Sequence, residues 1–158
     1  MSELDLWEKY HYETKQTICV IGVLILATKI CQADGHFSER EESEILSIVP
    51  HEPGQRHTLK KIILEASKDS NPIAHHALNL KKLLKDEQLD FLEFIVAVLY
   101  RLAHSDNLYS QSEDDDIRMV SKIFGIKRDL SDNCKDLFSN FFLKFTNLLK
   151  KKTENINA

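Results

Sequence analysis

Two acidic stretches of the chain carry carboxylates at one spacing. In ADGHFSEREESEI, from Ala33 to Ile45, and SDNLYSQSEDDDI, from Ser105 to Ile117, Asp34 corresponds to Asp106 and Phe37 to Tyr109. Ser38 likewise corresponds to Ser110, Glu41 to Glu113, Glu44 to Asp116 and Ile45 to Ile117. Carboxylates so arranged can cap a helix, hold a hard cation through oxygen, or move protons for a reaction. Capping is the plainest use. Ser38-x-x-Glu41 and Ser110-x-x-Glu113 are both capping boxes, in which the serine side chain accepts from the glutamate amide and the glutamate reaches back to the serine amide. Asp34 and Asp106 suit Asx turns onto nearby amides.

The placement of the acids offers more than capping requires. Glu41 stands four residues before Ile45 and extends the apolar stripe of Ile45, Ile48 and Val49. Glu113 extends Ile117, Val120 and Phe124 in the same way. Asp34 continues Ala27, Ile30 and Cys31, and Asp106 continues Leu99, Leu102 and Ala103. All four carboxylates therefore point toward the packing side of their helices, where an unpaired charge is expensive. Amides can satisfy some of them, and a divalent cation can satisfy the rest. From Asp34-Gly35 to Glu41 the spacing matches the second half of an EF-hand loop. The earlier ligand positions fall on Ile30 and Gln32, and in the second copy on Leu102 and His104, so a complete EF-hand is not expected. His36 and His104 flank the corners and read as solvated.

Helices must position these groups, because the apolar spacing is helical almost throughout. The pattern predicts a first long helix, from Leu4 or Tyr12 to Ala33, around the apolar run ICVIGVLILA (Ile18–Ala27). A second helix starts after Ser38 and ends near Pro50. HEPG, from His51 to Gly54, is a turn. Thr58 to Lys68 is helical, Asp69-Ser70-Asn71-Pro72 is a cap and restart, and Ile73 to Leu84 forms the next stripe. Phe91 to Ala103 is a second strongly apolar helix. Ser110 to Phe124 repeats the helix after Ser38, with Gly125 placed to end it. Ser131 to Lys150 carries a stripe of leucines and phenylalanines. The expectation is one all-α domain over residues 1–150, a bundle of about 6–8 helices with an internal pseudo-two-fold repeat, followed by a polar tail over 151–158.

The bulk properties agree. A chain of 158 residues suits one domain. Apolar and charged fractions of 42% and 29% are those of a soluble globular protein, and only 4 Gly and 3 Pro are present. A net charge of −4 offers no general attraction to nucleic acid. ICVIGVLILA is about half the ~20 residues of a membrane span, so it reads as a buried central helix, and membrane association is expected only indirectly. Cys19, Cys31 and Cys134 form no Cys-x-x-Cys pair and read as small buried hydrophobes in a reducing, cytoplasmic compartment. His75-His76 points two ways around a helix and reads as surface or partly packed. No His-Glu-x-x-His, Gly-x-Ser-x-Gly or phosphate-cradling glycine loop occurs, so no enzyme is expected.

The two acidic corners, with their apolar helices before and Ile45 and Ile117 after, resemble the TerB family, and also the related N-terminal module of a DnaJ-like membrane co-chaperone. The likeness runs over roughly Thr17 to Ile126. It rests on Gln32 to Ser38 with Glu41 and Ile45, and on Leu102 to Ser110 with Glu113, Ile117 and Phe124-Gly125-Ile126. It implies an all-helical fold with an internal two-fold, acidic clusters that bind divalent metal ions, and a role in stress or tellurite resistance through protein assemblies. Carried over, Asp34 and Glu41 form one cluster and Asp106 and Glu113 the other, with Glu44 and Asp116 as contributors. The implied ligand is a divalent cation such as calcium, manganese or zinc, and the implied partners are proteins. Asn107 replaces the glycine of the first corner, and no His-Pro-Asp tripeptide is present. The competing reading is a structural adaptor, or a co-chaperone-associated module, whose corners only cap helices.

Overall fold

A computed structural model describes residues 5–32, 37–49, 51–84, 89–105 and 111–127. These residues form seven α-helices: α1 (Leu6–Tyr10), α2 (Lys15–Cys31), α3 (Glu39–Ile48), α4 (Arg56–Lys68), α5 (Ile73–Leu84), α6 (Leu89–Ser105) and α7 (Gln111–Phe124). A 3-10 turn, Pro53–Gln55, occupies the HEPG region. Among the described residues there is no strand. The all-α expectation holds.

α2 is the axis of the fold. Its residues from Ile18 to Thr28 are all buried, and α3, α4, α5, α6 and α7 all pack on it. A helix apolar on every side can be stable in water only when so enclosed. Thr28, the one polar side chain in that run, turns its hydroxyl onto the Leu24 carbonyl at 2.7 Å and leaves no polar atom unmatched. Among the described helices, none is long and apolar enough to cross a membrane.

The single long first helix expected from Leu4 or Tyr12 is two helices. α1 is capped by Asp5, whose Oδ1 accepts from the Trp7 amide at 2.9 Å. The chain then breaks after Tyr10, and Thr14 caps α2 by accepting from the Thr17 amide. The break lets Trp7 turn back onto the bundle, where it is 4% exposed.

Other boundaries follow local chemistry. α3 starts at the expected capping box: Glu41 N donates to Ser38 Oγ at 3.1 Å, and Ser38 N donates to Glu41 Oε1 at 3.0 Å. Gly125 ends α7 with a φ of 77°, a conformation that costs a side-chain-bearing residue energy. Asp69 Oδ2 accepts from the Asn71 amide at 3.0 Å, an Asx turn that separates α4 from α5. The expected capping box at Ser110 and the expected helix from Ser131 to Lys150 lie outside the described residues.

Candidate functional site

Asp34 and Asp106 lie outside the described residues. The other predicted acids are placed. Glu41, Glu44, Glu113 and Asp116 are all half-buried, neither free on the surface nor enclosed. Glu41 completes the α3 capping box and also takes the Ser38 hydroxyl at 3.1 Å through the same Oε1. Glu44 pairs with Arg40 at 3.5 Å, one turn earlier on α3.

The feature missed from the sequence is Cys31. Read there as one of three buried hydrophobes, it is partly buried against the core at the last residue of α2, within reach of acids from two other helices. Cys19 does match that reading, and Cys134 lies outside the described residues. Burial pushes the Cys31 thiol well above its ordinary pKa, and a hydrogen bond to Glu41 and the charges of Glu41, Glu113 and Glu44 push it further. Glu41 belongs to the first turn of α3, Glu44 to the turn after it, and Glu113 to the first turn of α7. Acids from both sequence copies therefore act on one sulfur. α3 and α7 both pack on α2, and the charges felt at Cys31 put these acids near its C-terminal end.

α7 adds uneven neutralisation. Asp114, 9% exposed, is matched by Arg118 Nε at 2.6 Å, four residues on. Asp115 accepts from Gln111 at 2.9 Å. Asp116 has no such partner among the described residues: burial first, then repulsion from Asp115, raises its pKa above the usual carboxylate value. Negative charge thus accumulates where α3 and α7 begin, and helix N-termini offset part of it. Among the described residues no group of three or more His, Cys, Asp or Glu is placed to hold a metal ion. A cation at this face would keep much of its hydration shell, as hard cations can.

The second polar centre lies away from the acids. His76, expected at the surface or partly packed, is fully buried. Its Nδ1 accepts from the Trp7 indole Nε1 at 3.0 Å, and its Nε2 faces Asp69 Oδ2 at 2.8 Å. An indole nitrogen only donates and a carboxylate only accepts, so His76 is the neutral Nε2–H tautomer. Burial lowers its pKa, and Lys29 and His75 add to this against the opposing pull of Asp69. Burial acts to raise the Asp69 pKa, but bonds from His76, Lys29 and Asn71 outweigh it and hold the carboxyl below its usual range. Lys29 stands 3.3 Å from the same carboxylate. His75 turns the other way and reaches Asp5 Oδ2 at 2.6 Å. Neighbouring residues on a helix point about 100° apart, so the two histidines serve different partners.

Comparison with known proteins gives one family. No curated protein and no solved structure matches the chain. The model of the family described as tellurite resistance protein TerB matches residues 20–136, from the second turn of α2 past the end of α7. With that span covering well over half the chain, and with a helical body that carries the acidic first turns of α3 and α7, this chain belongs to the TerB family.

Proposed function

We propose that the chain is a non-enzymatic binding module of the tellurite-resistance type, which holds a hydrated divalent cation at the acidic face and presents its helices to partner proteins. One observation carries this reading: Glu41, Glu44 and Glu113, from two separate helices, all act on the Cys31 thiol. Such convergence concentrates charge that the helix caps alone do not need. The raised Asp116 pKa supports it, because a carboxylate that is hard to ionise gains from a nearby cation. The ion class follows from the donors. The face offers carboxylate oxygens, which suit a hard cation such as calcium or manganese held through oxygen and water.

The test is calorimetric titration of calcium, manganese and zinc into chelator-stripped protein, with Glu41→Gln and Glu113→Gln beside it. Gln still completes a capping box, so these variants remove charge and keep the helix starts. Binding of calcium or manganese that weakens in both variants supports the reading. Absence of binding through the millimolar range of the weakest calcium modules, or binding indifferent to both changes, removes the cation. The adaptor reading would then stand. It is favoured by the Glu41 oxygen already shared between the Ser38 amide and hydroxyl, and it predicts that chelators leave melting unchanged.

A further inference from the structure

α1 lies before the family match, which begins at residue 20, while the groups that hold it lie within the match. Its five residues are too few for an isolated helix, so its position depends on its attachments. Leu6 and Trp7 are buried in the common core. Lys9 and Tyr10 reach Glu65 of α4 at 2.8 Å and 3.3 Å, with Lys9 substantially exposed. Among the described residues, the one buried polar attachment is the indole bond to His76, a contact between residues 69 apart. That bond requires a lone pair on Nδ1.

We propose that Trp7–His76–Asp69 is an acid-operated latch: a proton taken from solvent onto His76 Nδ1 abolishes the indole bond and lets Trp7 swing out of the body of the bundle. The charged and titratable groups around the ring determine how it responds. Asp69, in the α4–α5 connection, stays ionised and accepts from Nε2 before and after protonation, so it stabilises the imidazolium. Lys29 of α2 and His75 of α5 oppose the added charge. From α1 only the uncharged indole faces Nδ1, and its N–H cannot turn acceptor. Protonation therefore sets two buried donors against each other, which is costly unless one of them moves. The imidazole is fixed in α5 and Asp69 is paired with Lys29 of α2, whereas α1 is a short helix joined to α2 through a turn at residues 11–14. Asp5, bonded to His75 and to Asn71 at 3.5 Å, keeps the N-cap end of α1 near α5. The movement is then a swing of Trp7 outward about that end.

Trp7 is the only tryptophan in the chain, so its emission reads the latch directly. Full-length protein is titrated from about pH 8 to about pH 5, across the histidine range, with far-UV circular dichroism in parallel. The expected result is a one-proton red shift at a midpoint below 6.5, the ordinary histidine value, with helicity retained. In His76→Gln the amide can accept from the indole and donate to Asp69 but takes no proton, so the step vanishes. A step that survives in His76→Gln, no step in the wild-type protein, or loss of helicity together with the shift would overturn the latch. Should His76→Gln fail to fold, imidazole nitrogen NMR of the wild-type protein decides. The latch requires the Nε2–H tautomer at neutral pH and loss of indole proton protection on acidification. The Nδ1–H tautomer, or protection that persists, rules it out.

Discussion

A Cβ added to Gly22 would stand 2.5 Å from Leu80 Cδ2 and 3.2 Å from Leu80 Cγ. Glycine at this point lets α2 and α5 approach until a leucine fills the space where a side chain would be. Leu80 is fully buried and has little room to withdraw. Gly22→Ala should gain about 1 kcal/mol of helix propensity and lose about 1–3 kcal/mol to overpacking. A net loss is expected, read as a lower midpoint in thermal or urea unfolding. A midpoint equal to or above the wild type would show that Leu80 gives way freely.

Cys31 should be a slow nucleophile for its exposure. The thiolate is the reactive form, and burial together with Glu41, Glu113 and Glu44 keeps the thiol protonated. Glu41→Gln and Glu113→Gln each remove a negative charge, so the pH profile of alkylation should move to lower pH in both. The measurement is the iodoacetamide rate against pH in a Cys134→Ser background, where buried Cys19 contributes little. Unmoved profiles would mean that burial alone sets the thiol.

Asp116 makes a prediction of opposite sign from most native carboxylates. Its folded pKa lies above its ordinary value of 3.8. The folded state therefore binds the proton more tightly, and stability is lost as pH rises through the folded pKa. Asp116→Asn removes that loss and should raise the melting temperature at neutral pH, with the gain shrinking toward about pH 3. Asp115→Asn should give part of the same gain by removing the repulsion. In calcium, Asp116→Asn should gain less if the acidic face holds the ion.

Asp69 behaves in the usual direction. Its folded pKa is below its ordinary 3.8, so its contribution is present above that value and lost as pH falls through the folded pKa. Lys29 and Asp69 are 11% and 12% exposed. Asp69→Asn should cost toward the lower end of the about 3–5 kcal/mol for breaking a buried pair, since Lys29 also bonds the Asp69 backbone carbonyl. Denaturant unfolding at neutral pH measures this cost, which should narrow below about pH 4.

What the sequence allowed to be read was local. The run from Ile18 to Ala27 is buried as its composition required, because no amphipathic alternative exists for it. The Ser38–Glu41 box closed because its partners are three residues apart. Gly125 ended α7 where its freedom at positive φ is used. Long-range pairing defeated the same approach. His76 looked like a surface histidine because Trp7, which buries it, is 69 residues away. The break between α1 and α2 has no Pro or Gly to announce it, only Thr14 as a cap. Cys31 looked like an ordinary core residue because Glu44 and Glu113 reach it from different helices. The acids were found by their spacing, while the sulfur they surround was not, since nothing in a linear pattern joins α2 to the start of α7.

The enclosure of α2 also bears on how the chain is made. Among the described helices, α3 to α7, which pack on α2, all follow it in the sequence. At a synthesis rate of about 5–20 residues per second, ICVIGVLILA emerges some seconds before α4 and α5 can close over it. During that interval it is an exposed greasy segment, open to self-association or to a chaperone. Overproduction should therefore strain the nascent chain more than the finished protein, and slower growth temperatures should recover soluble material without any change in native stability.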